Sequence, residues 1–559
     1  MKKQGFLKGS AILVGMVVIT KALGLVYKVP LANLLGGTGM GYFSAAFSLF
    51  TPVFALAVSG IPSAMARLAA ENSALGRYAD LRRQRRVAMV LYSVTGMLAA
   101  GCVVMLAASG AGGSQVRWAL ICLAPSVVFC SIMNTERGYH EGLGNMLPTA
   151  FSEITETVFK LALGLGIAMY VKHIAVESYA AEKMVFGRIC ESPSAAELAA
   201  LPYIAAGAVL GSTLASGLAC MGLLVVMRLR GDGVTADMLA HDPVCESRRH
   251  HVRALLGLSG SIALAAVVTT LTGMLDMLTI SPCLRYAISR SPAAFSAFDG
   301  ISADELPNFL YGSYEGLAVM LYGLVPTLTA MLGKSALPPL TFSLARGDDK
   351  AAARCLEHLL TLSAAAALPC GLGITALSGA VLRSLFAGRE LECLAAEQPL
   401  AVLGISVVFF GIALPCFTVV QALGKPSRVT VMMLVSGGIK LVFNVLLIPF
   451  AGLTGAALAE LISCIYVCAA ALRETAKLSG CSIDLRRTYI KPAYAGVMCA
   501  VTARLCFDLL TKLMIPHRLC TAGAVVCGGG MYFLSLYLLC DDLHAADIFL
   551  TRAKQCVRE

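Results

Sequence analysis

Five charged residues in the first half of this 559-residue chain stand out inside its apolar stretches, and their spacing limits what they could do. Lys21 and Lys28 lie seven positions apart, two turns of one helix, which puts both on one face about 10 Å apart along the axis. Glu153, Glu156 and Lys160 share a face of a second helix by steps of three and four. A charge in hydrocarbon is costly, so a helix face that repeats one should line a wet cavity. Two alternatives stay open at this level. Lys28 could reach out to the headgroups. Glu156, placed before Lys160 in the favourable order, could pair with it, either to fix the helix or to be exchanged when a phosphate competes for the lysine.

The second half carries fewer such residues. Asp276 closes one apolar run, Lys440 and Asn444 sit one turn apart in another, and Glu460 lies in the next. Lys440 either faces Asp276 as a tethered cation, or each is satisfied elsewhere. Glu315 follows Tyr311 and Tyr314, at headgroup level or inside a cavity. Arg504, Asp508 and Lys512 repeat every four residues and predict a ladder along one helix against its neighbours.

The elements that must hold these residues are transmembrane helices. Hydrophobic residues make up 58% of the chain and charged ones 14%, with a mean hydropathy of +0.78, which excludes a soluble multidomain protein, a disordered chain and a coiled coil. Apolar runs predict an all-α polytopic membrane protein of fourteen spans, each able to cross ~30 Å of hydrocarbon. They cover 10–34, 41–66, 87–109, 117–136, 148–171, 201–227, 254–280, 309–333, 357–378, 399–421, 429–449, 454–472, 492–513 and 521–539. The amino terminus, with Lys2, Lys3 and Lys8 before an apolar run, imitates a signal peptide, but no small-x-small site closes that run and it reads as a retained first span.

An even span number puts both termini on one side. With the termini inside, the inner segments hold 29 of the 44 Lys and Arg and the outer loops 9, a bias that fixes the orientation. Arg82, Arg83, Arg85 and Arg86 dominate it, and Trp118 falls at an outer boundary. The net charge of +11 is therefore a topology signal, and no nucleic-acid partner is expected. The 20 cysteines contain no Cys-x-x-Cys pair, and most sit in apolar runs as small hydrophobes; Cys190 and Cys283, both in outer loops, could form a disulfide.

A faint repeat runs through the chain. Leu143-Gly144 with Lys160-Leu161 returns 280 residues later as Leu423-Gly424 with Lys440-Leu441. Pro62, Leu68 and Ala69 return after 276 residues as Pro338, Leu344 and Ala345. These offsets predict two parallel six-helix lobes about an axis along the membrane normal, residues 1–230 and 254–475. A basic linker, 231–253, joins them; two extra helices follow in 490–540, and a tail in 541–559. Two such lobes suit a transporter in which one rocks against the other.

One stretch is distinctive: Arg137-Gly138-Tyr139-His140-Glu141-Gly142, then Asn145-Met146-x-Pro148, then Ser152, Glu156 and Lys160. It resembles the corresponding segment of the stage V sporulation protein B and Gram-positive lipid II flippase family. Phe6-Leu7-Lys8-Gly9-Ser10, followed by Lys21, Gly24 and Lys28, is similar to that family's first helix. The resemblance implies the multidrug/oligosaccharidyl-lipid/polysaccharide exporter superfamily, fourteen spans, and flipping of undecaprenyl-pyrophosphate-linked sugars, with Lys21, Lys28 and Lys160 against the pyrophosphate. It further implies a groove for the prenyl tail along Arg504, Asp508 and Lys512, contact with membrane lipid, and coupling to Na⁺ or H⁺ near Asp276, Lys440, Asn444 and Glu460. No cofactor is implied, and a monomer is expected. The family often has arginine where this chain has Lys21, Lys28 and Lys160, so the charge is kept without the bidentate fork. Gram-negative relatives carry charges in the first two helices where this chain shows Tyr27, Tyr42 and Phe54.

Two other function classes compete. A cation-coupled drug antiporter of the same superfamily needs acidic rather than basic cavity residues. An integral membrane glycosyltransferase or polymerase needs a large loop with clustered carboxylates or histidines, which 172–200 and 281–308 lack. Catalytic motifs are not found. Gly333-Lys334-Ser335 ends like a phosphate loop but closes an apolar helix with Leu at position 328. His241, Cys245, His250 and His251 lack metal-ligand spacing.

Overall fold

Apolar runs bounded by charge or by Gly and Pro become helices along nearly the whole chain in the computed structural model, which describes residues 6–232, 234–235, 239, 246–345, 349–423, 425–479 and 485–539. The helices are α1 (Phe6–Val58), α2 (Ile61–Ala74), α3 (Tyr78–Ala108), α4 (Arg117–Gly142), α5 (Leu147–Glu182), α6 (Pro193–Arg230), α7 (Arg248–Arg290) and α8 (Leu306–Ser313). After a π-helical turn, Tyr314–Val319, come α9 (Leu324–Ala345), α10 (Asp349–Leu385), α11 (Glu390–Ala422), α12 (Pro426–Ser479), α13 (Leu485–Lys512) and α14 (His517–Leu539). A two-residue antiparallel hairpin, β1 (Met184–Val185) with β2 (Arg188–Ile189), caps the turn between α5 and α6.

Twelve of the described helical stretches are long and apolar enough to cross a membrane. Two of these, Gly15–Ala74 and Pro426–Ser479, hold 60 and 54 residues, roughly 90 and 80 Å of helix, far beyond ~30 Å of hydrocarbon. Each carries two of the predicted spans and breaks at a glycine with positive φ, Gly36 (62°) and Gly452 (56°), where a side chain would be strained. In α12 the break is a reversal: Lys440 reaches Glu460, Arg428 reaches Glu474, and Gly455 packs against the Leu447 carbonyl. Other helices run past their predicted ends. The α5 helix continues to Glu182 and α7 to Arg290, so much of both long outer loops is helical.

The helices group by packing into two units, Met1–Gly316 and Leu317–Glu559. Within the first, α1 is central and touches α4, α5, α6, α7 and α8. Its approach to α8 depends on missing side chains: a Cβ on Gly312 would fall 1.9 Å from the Gly37 carbonyl, and one on Gly41 2.4 Å from Asn308. Close backbone approach through small residues is the general device of helix packing in lipid. In the second unit, α11 packs on α9, α10 and α12, while α13 and α14 lie together with α13 against α10. Several predicted features fall outside the described residues: His241, Cys245, Gly424 and the tail 541–559. Both Cys190, buried under the hairpin, and Cys283, half-buried, are free thiols rather than a disulfide.

Candidate functional site

The Arg137 motif turns out to be scaffold at its glycines. Gly138 and Gly142, one turn apart on α4, lie so close to α2 that a Cβ would sit 2.5 Å from the carbonyls of Pro62 and Ala66. Tyr139 and His140 are fully buried between them. Asn145 ends the turn: its Oδ1 accepts from the Leu147 amide at 3.3 Å, and Pro148 then occupies the first turn of α5, where its missing N–H costs nothing. The motif thereby fixes how α2, α4 and α5 meet.

Its arginine does something else. Arg137, 6% exposed, donates through Nε to Ser152 at 2.7 Å and through Nη2 to Glu156 Oε2 at 3.3 Å, and its Nη1 lies 3.7 Å from Glu153. Ser216 on α6 donates to the other oxygen of Glu156 at 2.7 Å. The pairing of Glu156 with Lys160 that the helix spacing offered gives way: the guanidinium reaches both carboxylates from a neighbouring helix and bonds Glu156.

Lys160 instead turns to α1. Its ammonium lies 5.5 Å from the ring centroid of Tyr27 and 5.8 Å from that of Phe47, within cation–π range. Gly164, one turn further, gives Tyr27 its seat, since a Cβ there would be 2.7 Å from the ring. Lys28 lies on the same unit, near enough for Lys160, Lys21 and Glu315 to act on it. Among the described residues, Lys21, Lys28 and Lys160 form no ion pair. Lys21 and Lys28 are solvent-accessible, and Glu315, on the π-helical turn, is half-buried and close to this basic group rather than isolated at a boundary.

In the second unit the charges are closed upon themselves. Lys440 Nζ lies 2.5 Å from Glu460 Oε2. Tyr322 donates to Glu460 Oε1 at 3.0 Å, Cys464 is 3.4 Å from the same oxygen, and Asn444 is fully buried one turn from Lys440. Asp276 belongs to the first unit, where it is buried on α7. On α13, Arg504 pairs with Asp508 at 3.2 Å as the four-residue spacing requires, and its Nη1 donates to the Ala376 carbonyl of α10; Lys512 is exposed.

Sequence reasoning missed a polar network at the end of the first unit read as cytoplasmic. Arg85 grips Glu136, 1% exposed, through two bonds of 3.0 and 2.8 Å, and stacks 4.9 Å over Tyr139. Tyr139 donates to Asp232 at 3.1 Å, and Arg82 lies 3.5 Å from that carboxylate. Burial alone would raise the Asp232 carboxyl, but the Val234 amide, Tyr139 and Arg82 together hold it below its usual value. Nearby, Asp80 accepts from the Glu246 amide at 2.7 Å and faces His251 at 3.2 Å, while His250 pairs with Glu246 at 2.7 Å. The arginines that mark topology thus also clamp the chain after α6; a lone Asp just past a helix end was the available signal.

Residues 6–187 match the family described as polysaccharide biosynthesis protein. The chain is 29% identical to stage V sporulation protein B of Bacillus subtilis (strain 168) over 211 residues, 36% of this chain and 39% of that protein. It is 25% identical to the lipid II flippase MurJ of the same bacterium over 177 residues, 30% of this chain and 32% of that one. Each match therefore spans well under half the relative's length. Among solved structures, the lipid II flippase MurJ in an inward closed conformation shares the fold with a TM-score of 0.65 at 14% identity, over 94% of this chain and 98% of that one. The resemblance carried by the Arg137 segment is borne out, and the fold is shared with the lipid II flippase MurJ. The chain is a multi-pass protein of the cytoplasmic membrane.

Proposed function

We propose that this protein is a flippase rather than an enzyme, and that it moves an undecaprenyl-pyrophosphate-linked saccharide of the cell wall, spore cortex or a surface polysaccharide across the cytoplasmic membrane by alternating access. The observation that carries the reading is the group Lys21, Lys28 and Lys160, which forms no ion pair among the described residues and lies in helices of membrane-spanning length. Three cations in such a place, with Glu315 near them but no ion pair among the described residues, favour an anion, and a pyrophosphate supplies one while its prenyl tail stays in lipid. A drug antiporter for cations would want the opposite polarity.

In this reading the chain crosses the membrane fourteen times with both termini inside, and works as a monomer. The two six-helix lobes rock about the bound headgroup, and α13 with Arg504, Asp508 and Lys512 borders the path of the prenyl tail. The closed set Lys440, Glu460 and Asn444 lies where coupling to Na⁺ or H⁺ is expected. Depletion of the protein in its source bacterium tests the reading. The undecaprenyl-linked saccharide should accumulate on the inner leaflet; an unchanged pool of every such intermediate contradicts it.

A further inference from the structure

Arg137 sits beside the basic group without belonging to it. It is buried on α4, yet it holds both carboxylates that precede Lys160 on its own face of α5. Glu156 is the important one. It stands four residues before Lys160, the spacing and order that favour an ion pair, and it is the carboxylate whose charge acts on that lysine. Each of its oxygens already accepts a bond, Oε2 from Arg137 at 3.3 Å and Oε1 from Ser216 at 2.7 Å. Ser152 fixes the guanidinium at 2.7 Å and Met133 Sδ accepts from it at 3.3 Å, so its aim is set by three helices, α4, α5 and α6.

We infer that Arg137 is a positioning residue for anion binding: by occupying Glu156 and Glu153 it keeps Lys160 free of an internal carboxylate and available to the pyrophosphate of the substrate. Without the guanidinium, Glu156 has an unneutralised charge in a low-dielectric place and one cation within a helical turn, Lys160. Their pairing would close the anion site from within. The specificity for an anionic headgroup is therefore set partly by a residue that does not touch it. This rests on the flippase reading for the identity of the anion, but not for the partition of charges.

Two measurements on purified full-length protein in detergent test it. The first is the rate at which an amine-reactive ester acylates Lys160, read by mass spectrometry. Arg137→Gln should slow that rate several-fold, and the double variant Arg137→Gln with Glu156→Gln should restore it, which a merely structural arginine would not allow. An equal rate in wild type and Arg137→Gln, or a double variant no faster than the single, overturns the inference. The second is binding of farnesyl pyrophosphate. Affinity should fall roughly tenfold or more in Arg137→Gln, survive largely in Arg137→Lys, and return in the double variant. Wild-type protein that binds no farnesyl pyrophosphate overturns the flippase reading, and the acylation rates then still decide the role of Arg137. Should Arg137→Gln fail to fold, the double variant and Arg137→Lys carry the same test: a folded double variant with slow Lys160 acylation overturns the inference.

Discussion

Lys160 and Lys440 occupy matching places in the faint internal repeat, 280 residues apart, and do opposite things. Lys440 is locked at 2.5 Å to Glu460, which is held in turn by Tyr322 and Cys464. Lys160 has two aromatic rings for neighbours, and the carboxylate that its own helix offers is bound by Arg137. A lysine inside a membrane protein is thus not a single signal. Where a carboxylate is committed to it, it is part of the scaffold; where the carboxylates are committed elsewhere, it is left for a ligand.

The comparison breaks most readily at Lys440. Replacing it with Met leaves the Glu460 charge buried without its cation, and thermal unfolding in detergent should show a loss of about 3–5 kcal/mol. The double variant Lys440→Met with Glu460→Gln should regain most of it, because no lone charge remains. A single variant as stable as wild type would show that the second unit does not use this pair as scaffold.

Lys160→Ala should give the reverse signature. Removing a charge-assisted contact to the anion costs roughly 1.5–3 kcal/mol of binding, about a 10- to 150-fold loss of affinity for a polyprenyl pyrophosphate, while the unfolding temperature stays near that of wild type. Lys21→Ala should behave alike and Lys21→Arg should be tolerated, since charge rather than packing is what that exposed side chain supplies. A Lys160→Ala protein that unfolds many degrees earlier would move Lys160 into the scaffold class beside Lys440.

Gly138→Val sharpens the contrast from the scaffold side. The new side chain would collide with the Pro62 carbonyl and Met65, and overpacking of that kind costs about 1–3 kcal/mol. Affinity per folded molecule should not change. A stable Gly138→Val protein that binds its anion poorly would instead place the motif glycines at the ligand.

How much of this was legible in sequence follows from distance along the chain. The lysines showed themselves because charge is rare in apolar runs and because helical period puts Lys21 with Lys28, and Glu156 with Lys160, on common faces. The Arg504–Asp508 pair was read correctly for the same local reason. What period could not show was that Arg137, 19 residues from Glu156 and across a turn, would take the carboxylate first, or that Tyr322 would reach Glu460 over 138 residues. The helices themselves were legible. The breaks at Gly36 and Gly452 fall in the gaps that the predicted spans left at 34–41 and 449–454; only the backbone angles there needed the structure.

The smallest expected effect is at the clamp after α6. Because the folded Asp232 carboxyl titrates below its ordinary value of 3.8, its contribution is fully present at neutral pH and is lost only as pH falls through the lower folded value. Limited proteolysis of the segment after Asp232 should therefore be unchanged from pH 7 to pH 5. It should rise in Asp232→Asn, which weakens the hold of Arg82 and Arg85. A wild-type segment that opens between pH 7 and pH 5 would show that Asp232 is not what holds it.

The most direct test of the central claim is flipping itself. Full-length protein in proteoliposomes, given a fluorescent polyprenyl-pyrophosphate-linked saccharide, is scored by a membrane-impermeant quencher, with Lys160→Ala matched for orientation and unfolding temperature. The account predicts rapid transfer by wild type and transfer at the protein-free rate by Lys160→Ala. Equal transfer by the two would contradict it, because the lysine left without a carboxylate would then have no part in carrying the anion.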